Sequence, residues 1–197
     1  NPMSRGRIVR WMLEECAAVY RTEVVPYGPA MKSEPYLGIN PMGKVPALVH
    51  DGKVVTECAA IICHLADLYP DAGLVPPPGQ RQAYYRWLFY AAGPLETANL
   101  NKFLGVEIGE DKQRMAGYGN YALVMDTLAA ALTRSPYIAG DNFTAADVYL
   151  GSSVGWGLQF GMMPDRQEFR DYFARISARP ARLRATAMDD ELAKPQG

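Results

Sequence analysis

One stretch of the sequence combines two features that could bind a small peptide. Pro46 lies inside a run of β-forming residues, although proline lacks the main-chain N–H that a strand uses. If the Val45–Pro46 bond is cis, the amide and carbonyl of Val45 face outward and can pair with an extended peptide, as an added strand pairs with a sheet edge. A helix is predicted to begin near Glu57 and Cys58, and the N–H groups of its first turn suit a carboxylate. Together they predict a site for a short peptide that carries a carboxylate.

Four predicted elements follow one another and position these residues. Residues 44–50 and 53–56 are rich in β-formers, and Asp51 and Gly52 between them are a strong hairpin signal, because both turn positions require positive φ. After residue 56 the apolar period changes from two to 3.6 residues, which indicates a helix. The apolar face of this helix consists of Cys58, Ile61, Ile62, Leu65, Ala66 and Tyr69. The prediction is therefore strand, turn, strand and helix in direct succession.

The same stretch resembles the signature of a known family. NPMGKVPAL at 40–48, DG at 51–52 and VVTECAAIICHL at 54–65 are similar to the glutathione transferase pattern NPxGKVPAL…DG…ES, in which the proline is cis. The resemblance is specific here and extends weakly over the whole chain. It implies a thioredoxin-like α/β domain that binds glutathione as a co-substrate.

The resemblance also implies roles for single residues. Val45 and Pro46 would present the main-chain edge to the tripeptide, and Glu57 would receive its γ-glutamyl amino group. Lys44 would lie near the glycyl carboxylate, with Lys32 as a weaker candidate. Cys58 stands where the family usually has a serine that holds the γ-glutamyl carboxylate. Because a thiol donates a weaker hydrogen bond than a hydroxyl, a lower affinity for glutathione is expected.

The first residues, NPMSRGR, resemble the loop that carries the catalytic hydroxyl in serine-type transferases, with Ser4 at the matching place. A thiol with a pKa of about 8.5 is mostly protonated at neutral pH. A hydroxyl donor and a helix N-terminus both stabilise the thiolate and lower that pKa. On residue type alone, Ser4 could instead be the N-cap of a first helix formed by residues 8–16. Asn1 is the alternative donor in a variant register of the loop.

Two domains and a linker are predicted. Residues 1–70 form the thioredoxin-like α/β domain, with a strand near 22–27 and a short helix near 33–37 before the hairpin. Such a domain needs one more strand inside the sheet, and without it two strand edges would be unpaired. Residues upstream of Asn1 are therefore expected in the natural protein. Residues 71–79, DAGLVPPPG, are too proline-rich for a helix or strand and are predicted to be the linker.

Residues 80–197 are predicted to form an all-helical second domain. One helix is expected over 80–99 with an interruption at Gly93 and Pro94, and another over about 111–133. Thr144 and Asp147 form a capping-box pattern, in which Phe143 can staple onto Val148. A last helix over 169–176 is expected to end at Pro180, and residues 184–197 are expected to fray.

Composition narrows the class of protein. With 197 residues, 49% hydrophobic and 21% charged, the chain can form a substantial core. A net charge of −1 gives no reason to expect nucleic acid or an anionic membrane as a partner, and no membrane span or signal peptide is visible. Three cysteines at 16, 58 and 63, without CxxC, favour a reducing cytoplasmic location and argue against a thiol–disulfide oxidoreductase. His50 and His64 lack partners at metal-ligand spacing, so no metal is expected.

The activity implied by the resemblance is glutathione transfer to a hydrophobic electrophile, in a homodimer. The weak candidates for a hydrophobic pocket between the domains, each of which could equally be core, are Met3, Trp87, Tyr90, Tyr118 and Trp156. A glutathione-dependent isomerase or peroxidase would use the same site. A non-catalytic glutathione-binding or interaction module is the third possibility, because Cys58 and the donor loop are places where catalysis could be lost.

Overall fold

The computed structural model describes residues 1–194, which fall into two compact units. One unit comprises residues 1–73 and 178–194, and the other comprises residues 74–177. Across residues 1–194, no helix has both the length and the apolar character needed to cross a bilayer.

The first unit is built from helices around a β-hairpin. Its elements are α1 (Gly6–Glu15), a 3-10 turn (Pro29–Lys32), α2 (Tyr36–Ile39), β1 (Ala47–His50), β2 (Lys53–Thr56), α3 (Cys58–Leu68), a 3-10 turn (Pro70–Ala72) and α9 (Pro180–Ala193). Asp51 and Gly52 join β1 to β2 with φ of 49° and 73°, which confirms the predicted hairpin turn. Ile8 and Met12 of α1 and Ile61 and Ile62 of α3 are almost completely buried and form the centre of this unit.

The prediction of a strand near residues 22–27 is wrong. Within residues 1–194 the only paired strands are β1 and β2. Residues 22–27 are instead held through a side chain, since the amide of Asn1 donates to the carbonyl of Val25 at 3.0 Å. β-forming residues favour an extended backbone, but a strand also needs a partner for its main-chain hydrogen bonds, and composition does not reveal that partner.

The last helix belongs with the first unit, whereas residues 80–197 were all expected in the helical domain. Arg10 of α1 and Asp189 of α9 form a buried ion pair at 2.9 Å. Arg179 also binds both carboxylate oxygens of Glu15 at 2.7 and 2.8 Å. The prediction that residues 184–197 fray is therefore wrong for 184–193, while 195–197 lie outside the described residues. Pro180 begins this helix, because proline suits the first helical turn.

The second unit is helical. It contains α4 (Gln82–Tyr90), a π-helical turn (Ala91–Leu95), α5 (Glu96–Leu104), a 3-10 turn (Glu110–Lys112), α6 (Tyr121–Leu132), α7 (Ala145–Gln159) and α8 (Gln167–Ser177). The π-helical turn contains Pro94, which confirms the predicted interruption of the first long helix. The next helix begins at Tyr121 and not near 111, because Gly119 adopts φ of 70° and the Asn120 side chain caps the helix by accepting from the Leu123 amide at 2.9 Å.

The capping box of α7 is confirmed. One carboxylate oxygen of Asp147 accepts from the amide and the hydroxyl of Thr144, at 2.9 and 3.0 Å. The other oxygen accepts from the Ile138 amide at 2.8 Å and from the Tyr172 hydroxyl at 3.0 Å. Burial raises the pKa of Asp147, and these four donors oppose that shift. The carboxylate therefore ties the start of α7 to the preceding loop and to α8.

Candidate functional site

The start of α3 presents an exposed carboxylate on a strained backbone. Glu57 immediately precedes the helix with φ of 64° and ψ of 118°, a conformation that residues other than glycine rarely adopt. Its side chain is exposed and, among the described residues, no ion pair or hydrogen bond engages it. The helix begins at the predicted position, and Glu57 lies where a ligand can reach its carboxylate.

Cys58 joins the start of α3 to the loop that precedes α1. It is buried, and its Sγ lies 3.9 Å from the carbonyl oxygen of Arg5. Arg5 follows Ser4 directly, so the first turn of α3 and the loop of residues 1–5 are neighbours although 53 residues separate Arg5 from Cys58. The structure therefore brings the loop of residues 1–5 next to the start of α3. The sequence predicted a role for each segment but not this contact.

Pro46 follows a cis peptide bond, as the resemblance implies. Val45 is half-buried, and neither its N–H nor its carbonyl takes part in a hydrogen bond with any of residues 1–194. Both groups are thus available to an incoming peptide main chain. Ala47 opens β1 two residues later, so this short segment continues the hairpin edge.

The two predicted lysines have different environments. Lys44 is exposed, while the Nζ of Lys32 donates to the carbonyl of Met42 at 3.0 Å. The carbonyl of Lys44 accepts two hydrogen bonds from side chains that sequence reasoning did not single out. These donors are the Tyr36 hydroxyl at 2.7 Å and the Asn40 side-chain amide at 2.8 Å. Asn40 opens the NPMGKVPAL motif, and that position was the only available signal for it.

Ser4 lies one residue before the N-cap of α1, so its predicted N-cap position is wrong by one residue. Arg5 takes the N-cap position, and no side chain caps the helix there. The Ser4 hydroxyl donates to the carbonyl of Asn1 at 2.7 Å and accepts from the Gly6 amide at 3.0 Å. The Asn1 side chain accepts from the Met3 amide at 2.9 Å and donates to Val25. Both candidate donors are therefore engaged in hydrogen bonds, Ser4 within residues 1–6 and Asn1 also with the distant Val25 carbonyl.

The residues predicted to form a hydrophobic pocket have varied surroundings. Met3 is exposed in the first unit, and Trp156 of the second unit is half-buried. Trp87 is buried and packs edge-to-face on Tyr90 at 5.0 Å, and the Tyr90 hydroxyl donates to the Val124 carbonyl at 2.6 Å.

Burial raises the pKa of Tyr90 to about 12. Tyr118 accepts a hydrogen bond from the amide of Asn101 at 2.9 Å. These contacts give Tyr90 and Tyr118 structural roles inside the second unit. A pocket between the domains stays a prediction.

The two histidines form a pair that their spacing in sequence did not reveal. His50 at the end of β1 and His64 within α3 approach to 3.4 Å between Nδ1 and Nε2. The Oδ2 of Asp51 lies 3.6 Å from the Nε2 of His50. Within residues 1–194, no three histidine, cysteine or acidic side chains are grouped so that they could hold a metal ion. The pair packs the hairpin against α3.

No disulfide bond joins any two of the three cysteines. Burial raises the pKa of Cys16 to about 11, and its Sγ lies 3.9 Å from the carbonyl of Leu65. This thiol is therefore a core group.

Two family profiles and several known proteins are similar in sequence to this chain. The family profile described as the N-terminal domain of glutathione S-transferase matches residues 3–68, and the one described as its C-terminal domain matches residues 101–180. Glutathione S-transferase GstA of Escherichia coli O157:H7 is 30% identical over 149 residues, which cover 74% of this chain and 73% of that protein.

Solved structures agree with these matches. A glutathione transferase from Methylococcus capsulatus strain Bath is 28% identical, with a TM-score of 0.79 over 96% of each chain. A sphingomonad glutathione S-transferase complexed with glutathione is 26% identical, with a TM-score of 0.75 over 95% of each chain. The similarity extends over both units.

Proposed function

Because this chain belongs to the glutathione S-transferase family, we propose that it is an enzyme that transfers the glutathione thiolate to a hydrophobic electrophile. Its first unit has the thioredoxin-like fold and its second unit is helical, as in the similar glutathione transferases. The observation that carries the proposal is the set of unused polar groups at one end of the hairpin and helix. These are the main-chain N–H and carbonyl of Val45 and the carboxylate of Glu57.

In the proposed complex each part of glutathione meets a group of matching chemistry. The main chain of the central residue pairs with the N–H and carbonyl of Val45, as one strand pairs with another. The γ-glutamyl amino group binds the carboxylate of Glu57, and the γ-glutamyl carboxylate lies at the start of α3 beside Cys58. Lys44 attracts the glycyl carboxylate at the other end.

The proposed chemistry is activation of the thiol followed by direct attack. The Ser4 hydroxyl exchanges its hydrogen bond to Asn1 for one to the glutathione sulfur, which favours the thiolate and releases the thiol proton to solvent. The sulfur lone pair forms a C–S bond to the electrophile, and the leaving group departs with its bonding pair. The protein contributes the lowered thiol pKa and proximity, without a covalent enzyme intermediate.

The proposal includes the cellular compartment, the binding partners and the oligomeric state of the enzyme. Three cysteines without a disulfide bond suit the cytoplasm, where thiols are kept reduced. The proposed partners are glutathione and a small electrophile, and the proposed assembly is a homodimer. Neither nucleic acid nor membrane is among the proposed partners.

The test compares the wild type with Ser4→Ala, by retention on immobilised glutathione and by conjugation of 1-chloro-2,4-dinitrobenzene. Loss of one hydrogen-bond donor to the developing thiolate is expected to lower kcat by about 10²- to 10³-fold with retention unchanged. The pH profile should also shift, with the thiol pKa in the complex returning toward about 8.5. Ser33→Ala is the matched control, because its hydroxyl also donates to a main-chain carbonyl, that of Pro29 at 2.9 Å.

Other outcomes would contradict parts of the proposal. Retention without conjugation would favour a non-catalytic glutathione-binding module. Retention with turnover only of isomerisation or peroxide substrates would favour the alternative enzymatic activities on the same site. Lack of retention by the wild type would remove the site assignment.

A further inference from the structure

The carbonyl of Lys44 is fully occupied by two buried side chains. Tyr36 is 8% exposed and donates to this oxygen from α2 at 2.7 Å. Asn40 is 3% exposed and donates to it at 2.8 Å. A carbonyl oxygen has two lone pairs, so the two donors satisfy both and hold the carbonyl toward the interior of the unit.

The direction of this carbonyl determines the direction of the next amide. Within residues 1–194 the cis peptide bonds are those before Pro35 and Pro46, so the bond between Lys44 and Val45 is trans. In a planar trans peptide the carbonyl oxygen and the amide hydrogen point to opposite sides. The N–H of Val45 is therefore directed away from the buried side chains of Tyr36 and Asn40.

We propose that Tyr36 and Asn40 are positioning residues that orient the Val45 N–H toward the main chain of bound glutathione. The inference rests on the proposed function and adds two residues to it, neither of which touches the tripeptide. Their effect passes through one rigid peptide unit. Without these two side chains, the plane of the Lys44–Val45 peptide could rotate about its flanking single bonds. That motion would then have to be frozen when the ligand binds.

Further contacts hold Asn40 and the loop that follows it in place. The side-chain oxygen of Asn40 accepts a hydrogen bond from the Met42 amide at 3.1 Å. The main-chain carbonyl of Asn40 accepts one from the Gly43 amide at 2.8 Å. Burial raises the pKa of Tyr36, so its hydroxyl remains a protonated donor to a higher pH than a free tyrosine does. At Gly43, a Cβ would lie 2.6 Å from the carbonyl oxygen of Met31, so the loop is also closely packed from the other side.

The test is the glutathione affinity of Tyr36→Phe, measured by calorimetry, together with steady-state kinetics. The substitution removes one hydroxyl and keeps the ring. Loss of one neutral hydrogen bond at the clamped carbonyl is expected to raise the Kd and the KM for glutathione by about 2- to 12-fold, with the KM for the electrophile unchanged. Asn40→Ala is expected to act in the same direction and decides the question if Tyr36→Phe does not fold.

Tyr121→Phe is the matched control, because its hydroxyl donates to the Met162 carbonyl at 2.7 Å within the second unit. The control should keep the affinity of the wild type. Wild-type affinity in Tyr36→Phe and in Asn40→Ala would overturn the inference, as would equal losses in Tyr36→Phe and Tyr121→Phe. A wild type that binds no glutathione would instead overturn the proposed function, and the inference with it.

Discussion

At the scale of one residue, Glu57 combines a strained backbone with an exposed carboxylate. Its backbone lies at φ of 64°, which costs of order 1–3 kcal/mol for a residue other than glycine. Glycine would remove that cost, so a glutamate at this position is disfavoured for stability alone. Its carboxylate makes no compensating contact in the described part of the chain. A strained backbone whose side chain makes no stabilising contact supports the proposed role of Glu57 in binding the γ-glutamyl amino group.

Glu57→Gln is expected to weaken glutathione binding and leave the fold intact. Loss of a charged hydrogen bond to the γ-glutamyl amino group should raise the Kd by about 10- to 150-fold in calorimetry. The midpoint of thermal unfolding should not change, because the exposed carboxylate stabilises nothing else. Asp71→Asn removes the same charge from another exposed position of this unit and should bind glutathione like the wild type. Equal affinity in Glu57→Gln would refute the assigned role.

At the scale of elements, the contact between α1 and α9 determines how residues 180–193 pack. Arg10 and Asp189 are each less than a tenth exposed and lie 2.9 Å apart. Next to them, Arg7 and Asp190 pair at 2.7 Å, but the Asp190 side chain is 59% exposed. Two ion pairs on adjacent residues of one helix therefore differ mainly in their access to solvent.

Asp189→Ala is expected to lower the free energy of unfolding by about 3–5 kcal/mol, because it leaves the Arg10 guanidinium buried without its partner. Asp190→Ala should change it by about 0–1 kcal/mol, since solvent screens the exposed pair. Urea denaturation followed by circular dichroism measures both values. Similar losses in the two variants would show that burial does not distinguish the pairs.

At the scale of the whole molecule, exposed apolar side chains on α4 and α5 could form an interface with another protein chain. Tyr85 and Phe89 are four residues apart on α4, and on α5 Leu100 precedes Phe103 by three residues and Leu104 by four. All five are exposed, with Phe89 and Phe103 at 73% and 72%. Apolar side chains at this density on a helical surface are typical of a surface that another protein covers.

The wild type is therefore expected to be a dimer of the 21.7 kDa chain in size-exclusion chromatography with light scattering. A double variant, Phe89→Asp with Phe103→Asp, should shift it to a monomer, because two carboxylates would have to be buried in the interface. Phe160→Asp, at a position of the same unit that is 65% exposed, should leave the dimer unchanged. A monomeric wild type, or a dimer that persists in the double variant, would show that this surface is not the interface.

Local sequence patterns alone determined the positions of several turns, helix ends and caps. The turn at Asp51 and Gly52, the start of α3, the interruption at Pro94 and the capping box at Asp147 each depend on residues within a few positions of one another. Such signals act through backbone geometry and short hydrogen bonds, so they can be identified before any packing is known.

Tertiary structure alone decided what lies beside these elements. It placed Tyr36 and Asn40 on the carbonyl of Lys44, Cys58 beside Arg5, and α9 on α1. It also showed that residues 22–27 do not pair as a strand. The physical reason is that these contacts depend on which surfaces meet after the chain has packed, and the periodicity of a segment does not specify the partner that buries it.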